Sequence, residues 1–177
     1  MDQSERISYA IADSPLGKLL VATTDRGICY VTVGDTDSET ESSLRRQYPA
    51  SDMIRNDAQL EGPVATIMSH LRGEQQHLDL PLDVRATDFQ RRVWHALQRI
   101  PYGSTLSYSG VARALGRPAA ARAVARACAS NPVPLVVPCH RVIRKDGTLG
   151  GFGLGIHRKN ALLERERAGT RTKSGVP

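Results

Sequence analysis

The sequence predicts an α/β (α+β) chain in two parts: a small antiparallel sheet with one or two helices, then a helical half built around a helix-turn-helix. Three observations carry that prediction. Residues 7–33 hold three short apolar, β-branched runs separated by turn residues, whereas residues 87–168 show helical periodicity through most of their length. Charge divides at the same place. Residues 1–86 contain 8 Lys and Arg against 14 Asp and Glu, a net of −6, while residues 87–177 contain 16 against 4, a net of +12. Within the basic half, two helical stretches flank a Gly116-Arg117 turn.

In the first part, strands are expected at 7–11, 18–24 and 27–33, joined by turns at Pro15-Leu16-Gly17 and Asp25-Arg26-Gly27. Residues 36–47 are polar and weakly helical, with their Asp and Glu gathered at the start, where the helix dipole favours them. Residues 61–72 form a clearer helix, with Val64, Ile67, Met68 and Leu71 on one face, that stops at Gly73. Residues 78–84, with Pro81, are extended and connect the halves.

In the second part, Thr87 is placed to N-cap a helix whose apolar stripe is Phe89, Val93, Trp94, Leu97 and Ile100, ended by Pro101-Tyr102-Gly103. A short helix over 107–115 follows, buried through Val111, Ala112 and Leu115. After the Gly116-Arg117 turn, Pro118 opens a second helix that runs to about Ser130. From Asn131 the chain is irregular through Pro132, Pro134 and Pro138. A glycine-rich loop, 147–155, leads to a last helix over 157–168, and 169–177 reads as a flexible, solvated tail. The expected domains are therefore 1–86 and 87–168.

Composition excludes several classes. There is no N-terminal apolar signal region, and no apolar run approaches the roughly 18 residues that a membrane span needs. Three cysteines, Cys29, Cys128 and Cys139, are an odd number at no zinc-like spacing, so neither a disulfide framework nor a metal centre is expected. The reading is a soluble cytoplasmic protein with no membrane association. The charge asymmetry points the second half at a polyanion, although charge alone does not separate DNA from RNA or an anionic membrane.

The candidate nucleophile is Cys139, between the apolar run Leu135-Val136-Val137 and the cationic His140-Arg141. Cationic neighbours lower a thiol's pKa from about 8.5 and populate the reactive thiolate, although a lone cysteine is more commonly a small buried apolar residue. In an extended chain His140 points away from Cys139, so it is expected to act through a water. Cys29, in a strand, and Cys128, on an apolar helix, read as core residues. The second helix of the pair is nearly all Ala and Arg. Small side chains permit close approach to a groove and let Arg122 reach into a duplex; equally, Ala favours helix and Arg solvates its outer face. Asn131 reads as an orienting amide or a helix C-cap, Tyr108 as a donor or a packing residue, and Glu166 on its own as solvated.

Several motifs together resemble one family. They are Gly17-Lys18-Leu19-Leu20-Val21-Ala22, Gly27-Ile28-Cys29, Phe89-Gln90 with Val93-Trp94, and Ile100-Pro101-Tyr102-Gly103. Ser107-Tyr108, Arg122-Ala123-Val124, Asn131, Pro138-Cys139-His140-Arg141-Val142 and Leu162-Leu163 with Glu166 complete the set. Over residues 7–168 the chain resembles the O6-alkylguanine-DNA alkyltransferases (methylated-DNA–protein-cysteine methyltransferases), and the pentapeptide around Cys139 is a highly specific marker. The resemblance implies a ribonuclease-H-like first domain and a winged-helix-like second domain. It implies DNA repair by one irreversible transfer of the alkyl group from O6-alkylguanine, and from O4-alkylthymine, in double-stranded DNA to Cys139, after the nucleotide is flipped through the minor groove.

Residue by residue, the resemblance implies that His140 deprotonates Cys139 through a water, Glu166 holds the His140 tautomer, and Asn131 braces the turn. Tyr108 promotes flipping and donates to the guanine; the carbonyls of Cys139 and Val142 accept from the base, with Phe152, Gly153 and Lys159 beside it. Ser107, Ala121, Arg122 and Ala123 contact DNA, Arg122 entering the base stack. No cofactor and no obligate protein partner are implied, and the expected state is a monomer. Two departures stand out. Relatives often carry Tyr-Ser where this chain has Phe152-Gly153, and Leu154 beside them narrows the pocket. Where some relatives bind a structural zinc, the matching positions here include Glu5, Thr24 and Cys29, so no zinc is expected. The rival reading is a lesion-binding protein without repair activity; such proteins lack the acceptor cysteine, which this chain has.

Overall fold

A computed structural model describes residues 5–173, and the chain divides into two compact units between Val84 and Arg85, two residues ahead of the expected boundary. In the first unit, β1 (Arg6–Ser14), β2 (Gly17–Thr23) and β3 (Ile28–Gly34) form the expected antiparallel meander. Helix α1 (Asp37–Gln47) is entered through a capping box in which Thr36 and Glu39 satisfy each other's backbone N–H groups. It leads to a strand the sequence does not announce. β4 (Asp52–Arg55) pairs in parallel with β1, giving the order β3-β2-β1-β4 and a mixed sheet instead of a wholly antiparallel one. Of its four residues only Met53 is even partly buried, so no alternation marks it. Ile7, Tyr9, Ile11, Leu20, Ala22, Cys29 and Leu44 form one core, and α2 (Glu61–Leu71) packs on β1. The extended connector runs beside β3, where Ile28 N–H donates to Pro81 O at 2.8 Å and Asp83 N–H to Ile28 O at 2.8 Å. A Cβ at Gly27 would lie 2.6 Å from Pro81 O, so only glycine permits that approach.

In the second unit, α3 (Asp88–Gln98) is capped by Thr87 with Gln90 reciprocating, and buries Val93, Trp94 and Leu97. Two two-residue strands, β5 (Leu106–Ser107) and β6 (Val142–Ile143), pair in parallel and are visible only once their partners meet. Helix α4 (Tyr108–Ala114) is N-capped by Ser107 Oγ, which accepts from Gly110 N–H at 2.9 Å. Helix α5 (Ala121–Ala129) begins three residues after Pro118; the residues between form a turn in which Ala120 N–H donates to Arg117 O at 2.9 Å. Trp94 Nε1 donates to Ala127 O at 2.8 Å and ties α3 to α5.

Residues 133–142 are buried without interruption, and within them Cys139–Arg141 form a single 3-10 turn, not the extended chain expected. Helix α6 (Ile156–Lys173) runs five residues beyond its expected end at Ala168, so 169–173 are helical, and 174–177 lie outside the described residues. Tertiary contact overrides the glycine there. A Cβ at Gly169 would sit 3.1 Å from the Tyr102 ring, and Thr170 covers Gly103. No described helix is long and apolar enough to cross a membrane.

Candidate active site

The buried 3-10 turn and the middle of α6 bring together side chains that are far apart in sequence. His140, wholly buried, shares a 2.7 Å hydrogen bond through Nε2 with Glu166 Oε1. Glu166 also accepts from Gly103 N–H at 3.1 Å and from Arg141 Nε and Nη2, each at 2.9 Å in its shorter contact. Burial alone raises a carboxyl's pKa, but the donors on His140 and Arg141 outweigh it and hold Glu166 down at about 2. Glu166 is therefore a carboxylate at neutral pH and can only accept. The proton of His140 then belongs on Nε2, which leaves Nδ1 as an acceptor. Nδ1 is buried and has no hydrogen-bond partner among the described residues. Burial pushes the imidazole pKa below its ordinary value despite the carboxylate beside it, so the ring rests neutral.

Cys139 is 6 % exposed. Burial raises its thiol, opposed by the Asn131 side chain and then by the charge of Lys159. This corrects the expectation that His140 and Arg141 would lower it: the turn aims both at Glu166, and the polar contact on the sulfur is Asn131 Nδ2 at 3.3 Å. The same amide donates to Val137 O at 3.0 Å, and Asn131 Oδ1 accepts from Val133 N–H at 3.0 Å, so Asn131 ties Val133 and Val137 to the acceptor. Leu135, at φ 76°, is the one described non-glycine residue in left-handed conformation, placed where the run bends back. Burial pushes Cys29 and Cys128 up to about 12; Cys29 is the core residue expected, whereas Cys128 is only half-buried.

Lys159 is fully buried and donates to Val142 O at 2.6 Å and Gly151 O at 3.3 Å, with its ammonium 5.9 Å from the Tyr108 ring. The two carbonyls expected to receive the base are thus already engaged, Val142 O by Lys159 and Cys139 O by Val142 N–H, leaving one lone pair on each. Tyr108 is half-buried against the glycine-rich loop, where a Cβ at Gly150 (φ 71°) would lie 3.0 Å from its hydroxyl. Phe152 meets the His140 ring edge-on, with centroids 6.4 Å apart. Gly153 faces open space, and Leu154 is buried next to it.

On α5, Arg122 is exposed, Ala121 and Ala123 are half-buried beside it, and Val124 and Ala127 face inward. Ser107 spends its hydroxyl on the α4 cap. Two contributors escape a reading of the sequence. Arg141 reads as a cationic neighbour of Cys139, and Gly103 as a helix terminator, yet both grip Glu166. Their only sequence signal is membership in the Ile100–Gly103 and Pro138–Val142 motifs.

Comparison with known proteins agrees with this architecture. Residues 7–84 match the sequence profile of the 6-O-methylguanine DNA methyltransferase ribonuclease-like domain, and residues 88–168 that of its DNA-binding domain. The chain is 46% identical over 160 residues to the bifunctional transcriptional activator/DNA repair enzyme Ada of Escherichia coli, covering 90% of this chain but 45% of Ada. It thus spans about half the length of that relative. It is 41% identical to the methylated-DNA–protein-cysteine methyltransferase of Mycolicibacterium paratuberculosis, over 91% of this chain and 93% of the relative. Among solved structures, Mycobacterium tuberculosis O6-methylguanine methyltransferase superposes with a TM-score of 0.78 at 39% identity, covering 92% and 93% of the two chains. The same fold has been solved in complex with DNA, at 40% identity and TM-score 0.78, with 92% and 94% covered.

Proposed function

The chain belongs to the 6-O-methylguanine DNA methyltransferase family, and from that premise we propose that it repairs DNA by moving an alkyl group from O6-alkylguanine, and from O4-alkylthymine, onto its own Cys139. The observation that carries the reading is the buried array Cys139, His140 and Glu166, in which a neutral imidazole is pinned at Nε2 and open at Nδ1. His140 Nδ1 takes the thiol proton, relayed by a water. The thiolate forms the S–C bond as the O6–C bond breaks, and that electron pair leaves with guanine. The Tyr108 hydroxyl donates to the departing base, which is then protonated by solvent. Asn131 steadies the sulfur, and Phe152 and the Gly153 backbone wall the base.

Residues 87–168 serve as the DNA-binding and acceptor domain. Arg122 fills the gap that the flipped nucleotide leaves in double-stranded DNA, with Ser107, Ala121 and Ala123 along the backbone. The protein acts as a monomer in the cytoplasm, on the chromosome. Buried Leu154 narrows the pocket in favour of small alkyl groups. The product is a thioether, which water does not cleave, so each molecule acts once.

The test is the mass of the protein after exposure to duplex DNA containing O6-methylguanine. One methyl group per chain, mapped to the peptide holding Cys139 and abolished by Cys139→Ser, is the expected result. Continuing turnover would indicate a hydrolase, and binding without transfer a lesion sensor.

A further inference from the structure

Arg141 is buried, with its guanidinium wrapped around Glu166. Nε reaches Oε2 at 2.9 Å and Oε1 at 3.2 Å, Nη2 reaches Oε1 at 2.9 Å, and Nη1 donates to Ile100 O at 2.8 Å. The guanidinium carbon lies 5.7 Å from the centroid of the Tyr102 ring. Glu166 Oε1 therefore serves two donors at once, the imidazole that performs the proton transfer and a cation that does not.

That sharing has an electrostatic consequence. A buried carboxylate with no compensating cation, hydrogen-bonded to a buried imidazole, draws a proton onto the ring and stabilises an imidazolium–carboxylate pair. A ring already protonated at both nitrogens has no place for the proton of Cys139. With a guanidinium across the carboxylate, Glu166 still fixes the tautomer, but its charge is neutralised. We infer that Arg141 is a positioning residue that keeps His140 neutral and protonated at Nε2, so that Nδ1 stays free to accept.

The groups around the imidazole agree in sign. Arg141, on its own turn, and Lys159, on α6, both oppose a further positive charge, and Phe152 is uncharged. Tyr102, in the loop after α3, lies against Arg141. Glu166 is the only group among these that favours imidazolium, and Arg141 covers it.

The inference rests on the alkyl-transfer reading for its rate measurement, but not for its spectroscopic one. Nitrogen-15 NMR of the whole chain with labelled histidine should show His140 as the neutral Nε2–H tautomer at pH 7 in the wild type and in Arg141→Lys. Imidazolium there in the wild type overturns the inference. Single-turnover methyl transfer is then measured against pH for the wild type, Arg141→Met and Arg141→Lys. In Arg141→Met the acid limb of the rate profile should move up by about one pH unit or more, slowing transfer about tenfold on the acid side of the wild-type limb. Arg141→Lys, which keeps the charge, should return the limb towards wild type.

Because each molecule reacts once, misfolded protein lowers the amplitude and leaves the rate constant of the remainder intact. An unshifted limb in Arg141→Met overturns the inference. Where that variant does not fold, Arg141→Gln, which keeps a donor towards Glu166 without the charge, takes its place, and an unshifted limb there overturns the inference. Absence of any transfer by the wild type refutes the repair reading instead, and leaves the NMR result to judge Arg141.

Discussion

Asn131 Nδ2 donates to the sulfur of Cys139 at 3.3 Å and to the carbonyl of Val137, two residues before it, at 3.0 Å. A thiolate gains more from such a donor than a thiol does, so the contact strengthens as the nucleophile forms. Asn131→Ala should slow single-turnover transfer roughly 10- to 100-fold, since a hydrogen bond to a charged group contributes about 1.5–3 kcal/mol. Asn131→Asp should be slower still, because its carboxylate repels the thiolate. Quench-flow measurement checks both, and an unchanged rate in Asn131→Ala would refute the role.

Stability should be lost to acid in two stages. His140 is held below its ordinary 6.5, so the unfolded chain takes up a proton that the folded one refuses. Its contribution is complete above about pH 6.5 and declines below it. Glu166, at about 2 against an ordinary 4.5, contributes fully above pH 4.5 and loses that contribution as pH falls towards 2, a stake of roughly 3 kcal/mol. Thermal melts across this range should show both stages, and His140→Gln should remove the upper one. A melting temperature that stays flat from neutrality down to about pH 5 contradicts the first stage.

Arg122 and Arg126 are exposed on α5 while Val124 and Ala127 anchor its other side. Arg122→Ala should therefore leave stability within about 0.5 kcal/mol. It should slow repair of duplex DNA by tenfold or more, yet barely change reaction with a free alkylguanine base. Equal loss on both substrates would remove Arg122 from nucleotide flipping. Duplex affinity of the wild type should fall steeply with salt, as phosphate contacts release counterions.

Two glycines should respond in opposite ways. Gly103 has φ 81°, and a Cβ there would lie 2.5 Å from Thr170 Cγ2 and 3.2 Å from Glu166 O. Gly103→Ala should cost more than about 1 kcal/mol and disturb the N–H that grips Glu166. Gly153 has open space around its would-be Cβ, so Gly153→Ser should be neutral to within about 0.5 kcal/mol. Any effect of that change should appear in competition between alkylated bases, with melting curves as the control.

The sequence was most legible where a signal is local. Thr87 reads as an N-cap from its own position in the chain, and α3 starts where it says. β4, β5 and β6 are short, and what defines them is a partner strand far away, so no window of residues could display them. Glu166 is the sharpest contrast. In its own helix it looks solvated, and only the turn at Cys139–Arg141 and the loop at Gly103 make it the most heavily hydrogen-bonded carboxylate of the site. The direction of Arg141 was unreadable for the same reason, because adjacency to Cys139 suggests an influence on the sulfur that the curvature of the backbone denies.

The deep placement of Cys139 bears on time. A nucleophile consumed by its first reaction is a stock that must survive storage, and thiolates left exposed are oxidised while they wait. At 6 % exposure and with its thiol pKa raised, Cys139 rests in the protonated form that peroxides and disulfides attack slowly. The burial that makes the group look inert is what keeps each molecule fresh until a lesion arrives.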